Sequence, residues 1–249
     1  MKRVIPFFMA WGMFCAIPCP YPRWENEKRP AMLACFPLIG LVIGGVWCLA
    51  AWLLGLAGGL GLFGPLVLAF LPYLLTGFIH LDGFMDCCDA ILSRRDLPER
   101  QRILKDSHVG SFAVICVAML LLGAFALMTT ADTAGSRALL LLPLPLASRC
   151  PSGLAVMSLE PMGSSGYAGD FRKGVTASHR LAVWIMLVLA LALPPVLWGL
   201  PGFCTWAAAA GASLCILHGR KQLGGMSGDI SGLAVTVGEF CGMLVLALS

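Results

Sequence analysis

Three aspartates with helical spacing are the residues of this sequence whose types and positions most clearly suit chemistry. Asp82, Asp86 and Asp89 follow one another at intervals of four and three residues. Because an α-helix turns about 100° per residue, their carboxylates would project within a stripe roughly 60° wide. Carboxylates this close repel one another, and beside an apolar membrane segment the cost rises. A divalent cation removes the repulsion, so the spacing predicts a Mg²⁺ site that also binds a substrate phosphate.

Two residues next to the first aspartate and one arginine farther along the chain are further candidates. From spacing alone, His80 could be a ligand, a base or a packed histidine, and Gly83 permits close approach of a phosphate or of another helix. Arg149 lies within an apolar run, where an arginine is a functional candidate by default. Its guanidinium could bind a phosphate or form a structural ion pair, and Glu239 in the final apolar run is expected to face the interior.

A short polar run precedes the apolar segment that starts at residue 109. In this run, Asp106 or Ser107 could cap the following helix by accepting hydrogen bonds from its free N–H groups. A helix N-terminus with a nearby lysine, here Lys105, is also a phosphate site. The two interpretations are compatible, and all three residues are candidates for substrate binding.

A glycine-rich run opens the last apolar segment. It contains Gly224, Gly225 and Asp229, and its composition suits either a backbone-lined anion pocket or a tight turn at the membrane interface. The acidic residue favours a functional role. A separate polar loop over 163–173 could bind a nucleotide or could simply be solvated.

The composition identifies an integral membrane protein. Of 249 residues, 59% are hydrophobic and only 12% are charged, and the mean hydropathy is +0.86. A soluble domain normally carries about 25% charged residues and could not cover its surface with so few. The net charge of +4 is too small to indicate nucleic-acid binding. The eleven cysteines show neither a CxxC pair nor a zinc-ligand spacing, so reduced thiols are expected.

Seven apolar runs approach the length of about 20 residues that a membrane-spanning helix needs. They cover residues 33–54, 62–81, 109–130, 137–159, 181–199, 201–218 and 231–249. Basic residues concentrate before the first run and in alternate loops, so the positive-inside rule places the N-terminus and the three aspartates on the cytoplasmic side. We expect one all-α domain over residues 1–249, a polytopic integral membrane helix bundle in the cell (inner) membrane.

The first apolar stretch, up to Ile17, is expected to be an N-terminal interfacial or re-entrant helix rather than an eighth span. Pro6 lies inside it, prolines follow it, and no small-residue cleavage site marks it as a removed signal peptide.

The order of these elements resembles the cobalamin synthase family, the adenosylcobinamide-GDP ribazoletransferases. The resemblance rests on residues 17–20, 36–40, 76–89, 105–110, 148–149 and 224–229. Four positions depart from the family pattern: Ala16 and His108 replace its usual arginines, and Phe78 and Ala90 replace its usual glycines. None of these changes removes an aspartate.

The resemblance implies transfer of adenosylcobinamide phosphate from adenosylcobinamide-GDP to α-ribazole or its 5′-phosphate, giving adenosylcobalamin or its phosphate and GMP. Mg²⁺ is the implied cofactor, with Asp82, Asp86 and Asp89 as its ligands. The same aspartates and Arg149 are expected to act in catalysis, with Asp89 as a candidate base. Seven residues are expected to bind substrate: His80, Lys105, Asp106, Ser107, Gly224, Gly225 and Asp229.

Two other classes of membrane protein remain alternatives at this point. A CDP-alcohol phosphotransferase also uses clustered aspartates at a helix end, but the longer spacing typical of that class is missing after Asp89. A cation transporter would place paired carboxylates on broken helices near the middle of the bilayer. The sequence leaves open whether the protein forms a homo-oligomer.

Overall fold

The computed structural model describes residues 4–163 and 172–249, and the regular elements within these ranges are helices. The α-helices are α1 (Ile5–Phe14), α2 (Arg29–Leu56), α3 (Phe63–Leu75), α4 (Ile79–Leu92), α5 (Leu97–Ile103), α6 (Ser111–Thr130), α7 (Leu144–Ser158), α8 (Ala177–Trp198), α9 (Cys204–Leu223) and α10 (Gly228–Leu248). Short 3-10 turns cover Asn26–Lys28, Gly58–Leu60, Gly135–Leu141 and Leu200–Phe203.

Six helical segments are long and apolar enough to cross a membrane, and a seventh results if α3 and α4 are counted together. The six are Asn26–Leu56, Ser111–Thr130, Gly135–Ser158, Ala177–Trp198, Leu200–Leu223 and Gly228–Leu248. This confirms the expected polytopic all-α membrane bundle. Many large apolar side chains on the outside of the bundle stay exposed, as expected of a protein whose surface faces lipid.

The segment expected as a straight second span is broken. The predicted span 62–81 ends as a helix at Leu75, and α4 continues from Ile79 with its axis bent by 88°. Two consecutive residues cause the break: Gly77 and Phe78 have φ angles of 59° and 64°, which no α-helix continues. With 13 residues, α3 is only about 20 Å long. The aspartates therefore lie on a separate helix that turns back into the bundle.

The N-terminal helix is short and packed, as expected. α1 has 10 residues, too few to cross a bilayer, and its Ile5, Met9 and Ala10 side chains are buried. The chain that leaves it is attached to the end of α3, because the Ala16 N–H donates to the carbonyl of Leu75 at 2.7 Å. This contact holds α1 beside the break between α3 and α4.

The close crossing of α4 and α10 positions the candidate site. A Cβ atom on Gly83 would lie 2.8 Å from the Cα of Asp229, and one on Gly232 would lie 2.8 Å from the carbonyl oxygen of His80. The Thr236 hydroxyl donates to the same carbonyl at 3.1 Å. Glycine on both helices thus lets the two backbones touch, which is the helix-approach alternative for Gly83.

A second close crossing joins α2 to the start of α7. A Cβ on Gly40 would lie 2.6 Å from the Pro145 carbonyl oxygen, and one on Gly44 would collide with the Leu142 carbonyl. Twelve of the 15 residues of α7 are buried. The polar side chains on α7 are therefore held in the interior of the bundle rather than at its ends.

Candidate active site

Asp82 lies at the junction of two depressions in the surface. One is a cavity of about 250 Å³ whose lining includes Asp82, His80, Gly228 and Asp229. The other is a more open depression of about 530 Å³ along residues 76–79 and the end of α1. Asp82 is exposed and is the charged residue common to both. A carboxylate in this position can contact molecules bound on either side.

The helix crossing brings Asp229, which the sequence predicted as a substrate-binding residue, to the three aspartates of α4. Asp229, at the first turn of α10, and Asp86, one turn beyond Asp82 on α4, are both half-buried. The carboxylates of Asp82, Asp229 and Asp89 all lie within electrostatic range of Asp86. The Ser227 hydroxyl donates to Asp229 at 3.3 Å and accepts the Ile230 N–H, so it caps α10 and holds this carboxylate in place.

These aspartates have no cationic neighbour in ion-pair contact within residues 4–163 and 172–249. The ion pairs in that part of the chain involve other acids: Glu25, Glu99, Asp106, Asp132, Glu160 and Glu239. Carboxylates left without a cation suit a hard cation such as Mg²⁺, which takes one or two of them and completes its shell with water and phosphate oxygens. Within the described ranges, no group of three His, Cys, Asp or Glu side chains is arranged around a common metal position.

Asp89 makes structural hydrogen bonds that were not predicted from the sequence. Its two carboxylate oxygens accept the backbone N–H groups of Gly110 at 2.6 Å and Ala113 at 2.9 Å, at the N-terminus of α6. Any side chain at position 110 would collide with this carboxylate. Asp89 therefore ties α4 to α6, and its metal and base roles stay predictions.

The polar run before α6 does not cap that helix, contrary to one of the two interpretations. Asp106 instead accepts hydrogen bonds from the ring and the backbone N–H of His108, which hold the pKa of its carboxyl below the usual range. Lys105, Asp106 and Ser107 are exposed. The N-terminus of α6 is capped by Asp89, so the structure supports no capping role for this run, and its substrate-binding role stays a prediction.

Arg149 forms the buried ion pair that the sequence left open as an alternative to phosphate binding. Its side chain is fully buried, and Nη1 donates to Glu239 Oε1 at 2.5 Å and to the Pro145 carbonyl at 3.0 Å. The guanidinium carbon lies 5.9 Å from the centre of the Phe36 ring. In this arrangement the charge of Arg149 is compensated inside the bundle, so contact with phosphate stays a prediction.

The glycine-rich run divides into a packed part and an open part. Met226 exchanges backbone hydrogen bonds with Glu160 and Met162, and a Cβ on Gly225 would lie 2.6 Å from the Met162 Cα. Gly224 ends α9 with a φ of +80°. These two glycines therefore serve the turn. Gly228, by contrast, borders the cavity with open space beside it.

Two aromatic residues of the cavity wall were not predicted from the sequence as site residues. Phe14 on α1 and Phe36 on α2 stand next to His80, with Phe14 nearly parallel to the histidine ring at 6.1 Å. His80 is buried, and its Nε2 has no hydrogen-bond partner within the described residues. Isolated phenylalanines in apolar runs carry no sequence signal for a cavity. Of the polar loop 163–173, residues 164–171 lie outside the described residues.

The fold and these carboxylates define a multi-pass membrane protein with an acidic site built on the crossing of two helices. The sequence profile of the cobalamin-5-phosphate synthase family matches residues 6–247, and the chain belongs to this family. It is a transferase of cobalamin synthesis.

Relatives named adenosylcobinamide-GDP ribazoletransferase match nearly the whole chain. One from Clostridium perfringens is 37% identical over 242 residues, covering 96% of each chain. One from Clostridium botulinum is 35% identical over 245 residues with the same coverage. One from Geobacillus thermodenitrificans is 33% identical, covering 94% of this chain and 91% of its own. No solved structure gives a significant match.

Proposed function

We propose that the protein transfers adenosylcobinamide phosphate from adenosylcobinamide-GDP to α-ribazole or its 5′-phosphate, with release of GMP, and that it needs Mg²⁺. The names of the relatives supply the donor and the acceptor. The observation that carries the proposal is the position of Asp82 between two depressions, beside the half-buried Asp86 and Asp229. A reaction that joins two large molecules through one phosphorus needs such a junction.

The reaction exchanges one phosphorus–oxygen bond for another. A hydroxyl oxygen of ribazole attacks the phosphorus attached to cobinamide, and the bond from that phosphorus to the bridging oxygen breaks. The bridging oxygen leaves with GMP, and the hydroxyl proton passes to a carboxylate. Asp82 is the exposed carboxylate common to both depressions, whereas both oxygens of Asp89 already accept backbone hydrogen bonds. We therefore assign the proton to Asp82.

One or two of the site carboxylates would hold Mg²⁺, which completes its shell with water and phosphate oxygens. Asp82, Asp86 and Asp229 offer carboxylate oxygens from two helices with no lysine or arginine paired to them in the described chain. Mg²⁺ bound there would neutralise the charge that develops on the phosphate oxygens. The role of the helix crossing is to fix the carboxylates before substrate arrives.

The positive-inside rule supports a cytoplasmic position for this site in the cell membrane. Basic residues follow α4 and α5 and recur at the end of α9, next to the carboxylates. Adenosylcobinamide-GDP and GMP carry phosphate charges and are water-soluble. A site on that side can exchange them without moving charge across the bilayer.

The test compares two aspartate variants of the protein in detergent or liposomes. Asp82→Asn removes the proposed proton acceptor and should lower the rate of GMP release by about 10²- to 10⁴-fold, the usual contribution of a positioned acid or base. Asp132→Asn is the matched control, because Asp132 is paired with Arg137 beside a separate depression that contains none of the site carboxylates. Omission of Mg²⁺ should abolish turnover in both. Wild-type rates from folded Asp82→Asn protein would refute the proposal.

A further inference from the structure

The cavity beside Asp82 has an aromatic wall that phosphate chemistry does not require. Three helices contribute one ring each: Phe14 from α1, Phe36 from α2 and His80 from α4. The Phe14 and Phe36 centroids are 4.5 Å apart, and Phe36 meets His80 edge-on at 5.7 Å. Asp82 and Asp229 line the same cavity. An aromatic wall and an acidic edge together suit a ligand that is flat and apolar at one end and polar at the other.

We propose that this cavity binds the flat aromatic base of the nucleoside acceptor. The inference rests on the proposed function, in which the acceptor is ribazole, a nucleoside whose base is a benzimidazole. Two fused flat rings can stack on or meet the edges of the three wall rings. With the base inside, the attached ribose points toward Asp82, where its hydroxyl reacts.

The sizes of the two depressions assign the two substrates. The aromatic cavity holds about 250 Å³, which is below the usual range for drug-sized ligands of about 300–1,000 Å³ and too small for a corrin macrocycle. The neighbouring open depression of about 530 Å³ leaves room for a donor whose bulk extends beyond the protein. Asp82 borders both, so the acceptor hydroxyl and the donor phosphate meet at one carboxylate.

One buried polar atom at the cavity wall lacks a partner. His80 is 5% exposed, and its Nε2 makes no hydrogen bond within the described residues. A buried ring nitrogen without a partner is costly, and a ligand or an ordered water relieves that cost. The ring nitrogen of benzimidazole that carries no ribose accepts a hydrogen bond, which a histidine N–H can donate.

The buried ion pair supports the same wall from behind. The Arg149 guanidinium lies over the Phe36 ring at 5.9 Å, and Glu239 fixes the guanidinium through its ion pair. Arg149 and Glu239 are thus positioning residues for an aromatic wall rather than groups that touch the reacting phosphate.

The experiment narrows the cavity and measures both substrates separately. Val156 borders the cavity, so Val156→Phe should raise the KM for ribazole while the KM for adenosylcobinamide-GDP changes less than about twofold. Val188→Phe is the matched control, because Val188 is exposed on the outside of α8. A second variant, Phe36→Leu, removes one ring of the wall. This variant should weaken the binding of ribazole about two- to tenfold, which corresponds to the free energy of one aromatic contact.

Equilibrium dialysis of α-ribazole against the intact wild-type protein, without donor, separates this inference from the proposed function. Binding that both cavity variants weaken supports the inference even if the protein fails to turn over. Normal turnover with unchanged ribazole KM and unchanged ribazole binding in both variants overturns it and leaves the proposed function standing. A selective rise in the KM for adenosylcobinamide-GDP also overturns it, because the cavity would then belong to the donor.

Discussion

Two regions of this molecule differ in how the charge of their acidic side chains is compensated. Inside the bundle, the Glu239 side chain is 3% exposed and is paired with Arg149, which is fully buried. At the crossing of α4 and α10, Asp82, Asp86 and Asp229 share one small region, and within the described residues no basic side chain pairs with them. The first region is neutral by itself, whereas the second carries uncompensated negative charge.

The difference separates charges that hold the fold from charges that serve a ligand. A buried ion pair is costly to break but does not need a third group. Carboxylates held close together without a cation cost stability, and proteins retain such clusters where a substrate or metal balances them. Breaking the buried ion pair should therefore lower stability, whereas removing a carboxylate at the helix crossing should lower activity and not stability.

Removing one member of the buried pair should have the largest effect on stability. Arg149→Met leaves Glu239 as an uncompensated charge inside the bundle and should cost about 3–5 kcal/mol. Unfolding in mixed detergent, followed by helical circular dichroism, measures the loss. The double change Arg149→Met with Glu239→Leu should recover much of it, because apolar residues can replace a buried pair. If Arg149→Met kept full stability but lost substrate binding, Arg149 would instead be assigned to phosphate binding.

Separating the two helices at the crossing should have the next largest effect. Gly83→Ala places a methyl group 2.8 Å from the Asp229 Cα, and overpacking of this kind costs about 1–3 kcal/mol. Activity should fall as well, since the carboxylates are carried by the two helices. Gly228→Ala is the matched control for stability, because its methyl group would meet open space. Equal thermal stability of the two variants would contradict the role of Gly83.

Removing one site carboxylate should slightly stabilise the protein while lowering its activity. Asp86→Asn relieves repulsion from Asp229 on α10 and from Asp82 and Asp89 on its own helix, the latter worth about 0.2–0.5 kcal/mol per pair. Without Mg²⁺ its melting temperature should exceed that of the wild type, and added Mg²⁺ should raise the wild type more than the variant. A lower melting temperature for Asp86→Asn without metal would show that this carboxylate is structural.

Local patterns in the sequence predicted the membrane bundle and the acidic helix well. Long apolar runs with few charges are a strong signal, so most spans were expected near their observed positions. The bend after α3 was missed because Phe78 adopts a left-handed backbone conformation that side chains rarely take, and an apolar run gives no sign of it.

The features of the site that the sequence could not predict depend on contacts between residues that are far apart in the chain. Asp229 is far from Asp82 in the chain, and the close crossing of α4 and α10, where Gly83 meets the backbone of Asp229, makes them neighbours. Asp89 looked like a third metal ligand by spacing, but the start of α6 lies against it and donates two N–H groups. Helical periodicity predicts which side chains share a face and not what packs against that face.

The smallest effect is expected at Asp106, an exposed acid that is hydrogen-bonded to a neighbour. It is the weakest case in the comparison between paired and unpaired acids. The hydrogen bonds from His108 hold the Asp106 pKa below its usual value of 3.8, so this contact stabilises the protein above that pH. The stabilisation should disappear as pH falls through the lowered pKa. Asp106→Asn should therefore melt slightly below the wild type at pH 7, and the difference should vanish once the pH is below the lowered pKa and should shrink in high salt. An undiminished difference at low pH would exclude an electrostatic origin, and a raised substrate KM at unchanged stability would instead place Asp106 in substrate binding.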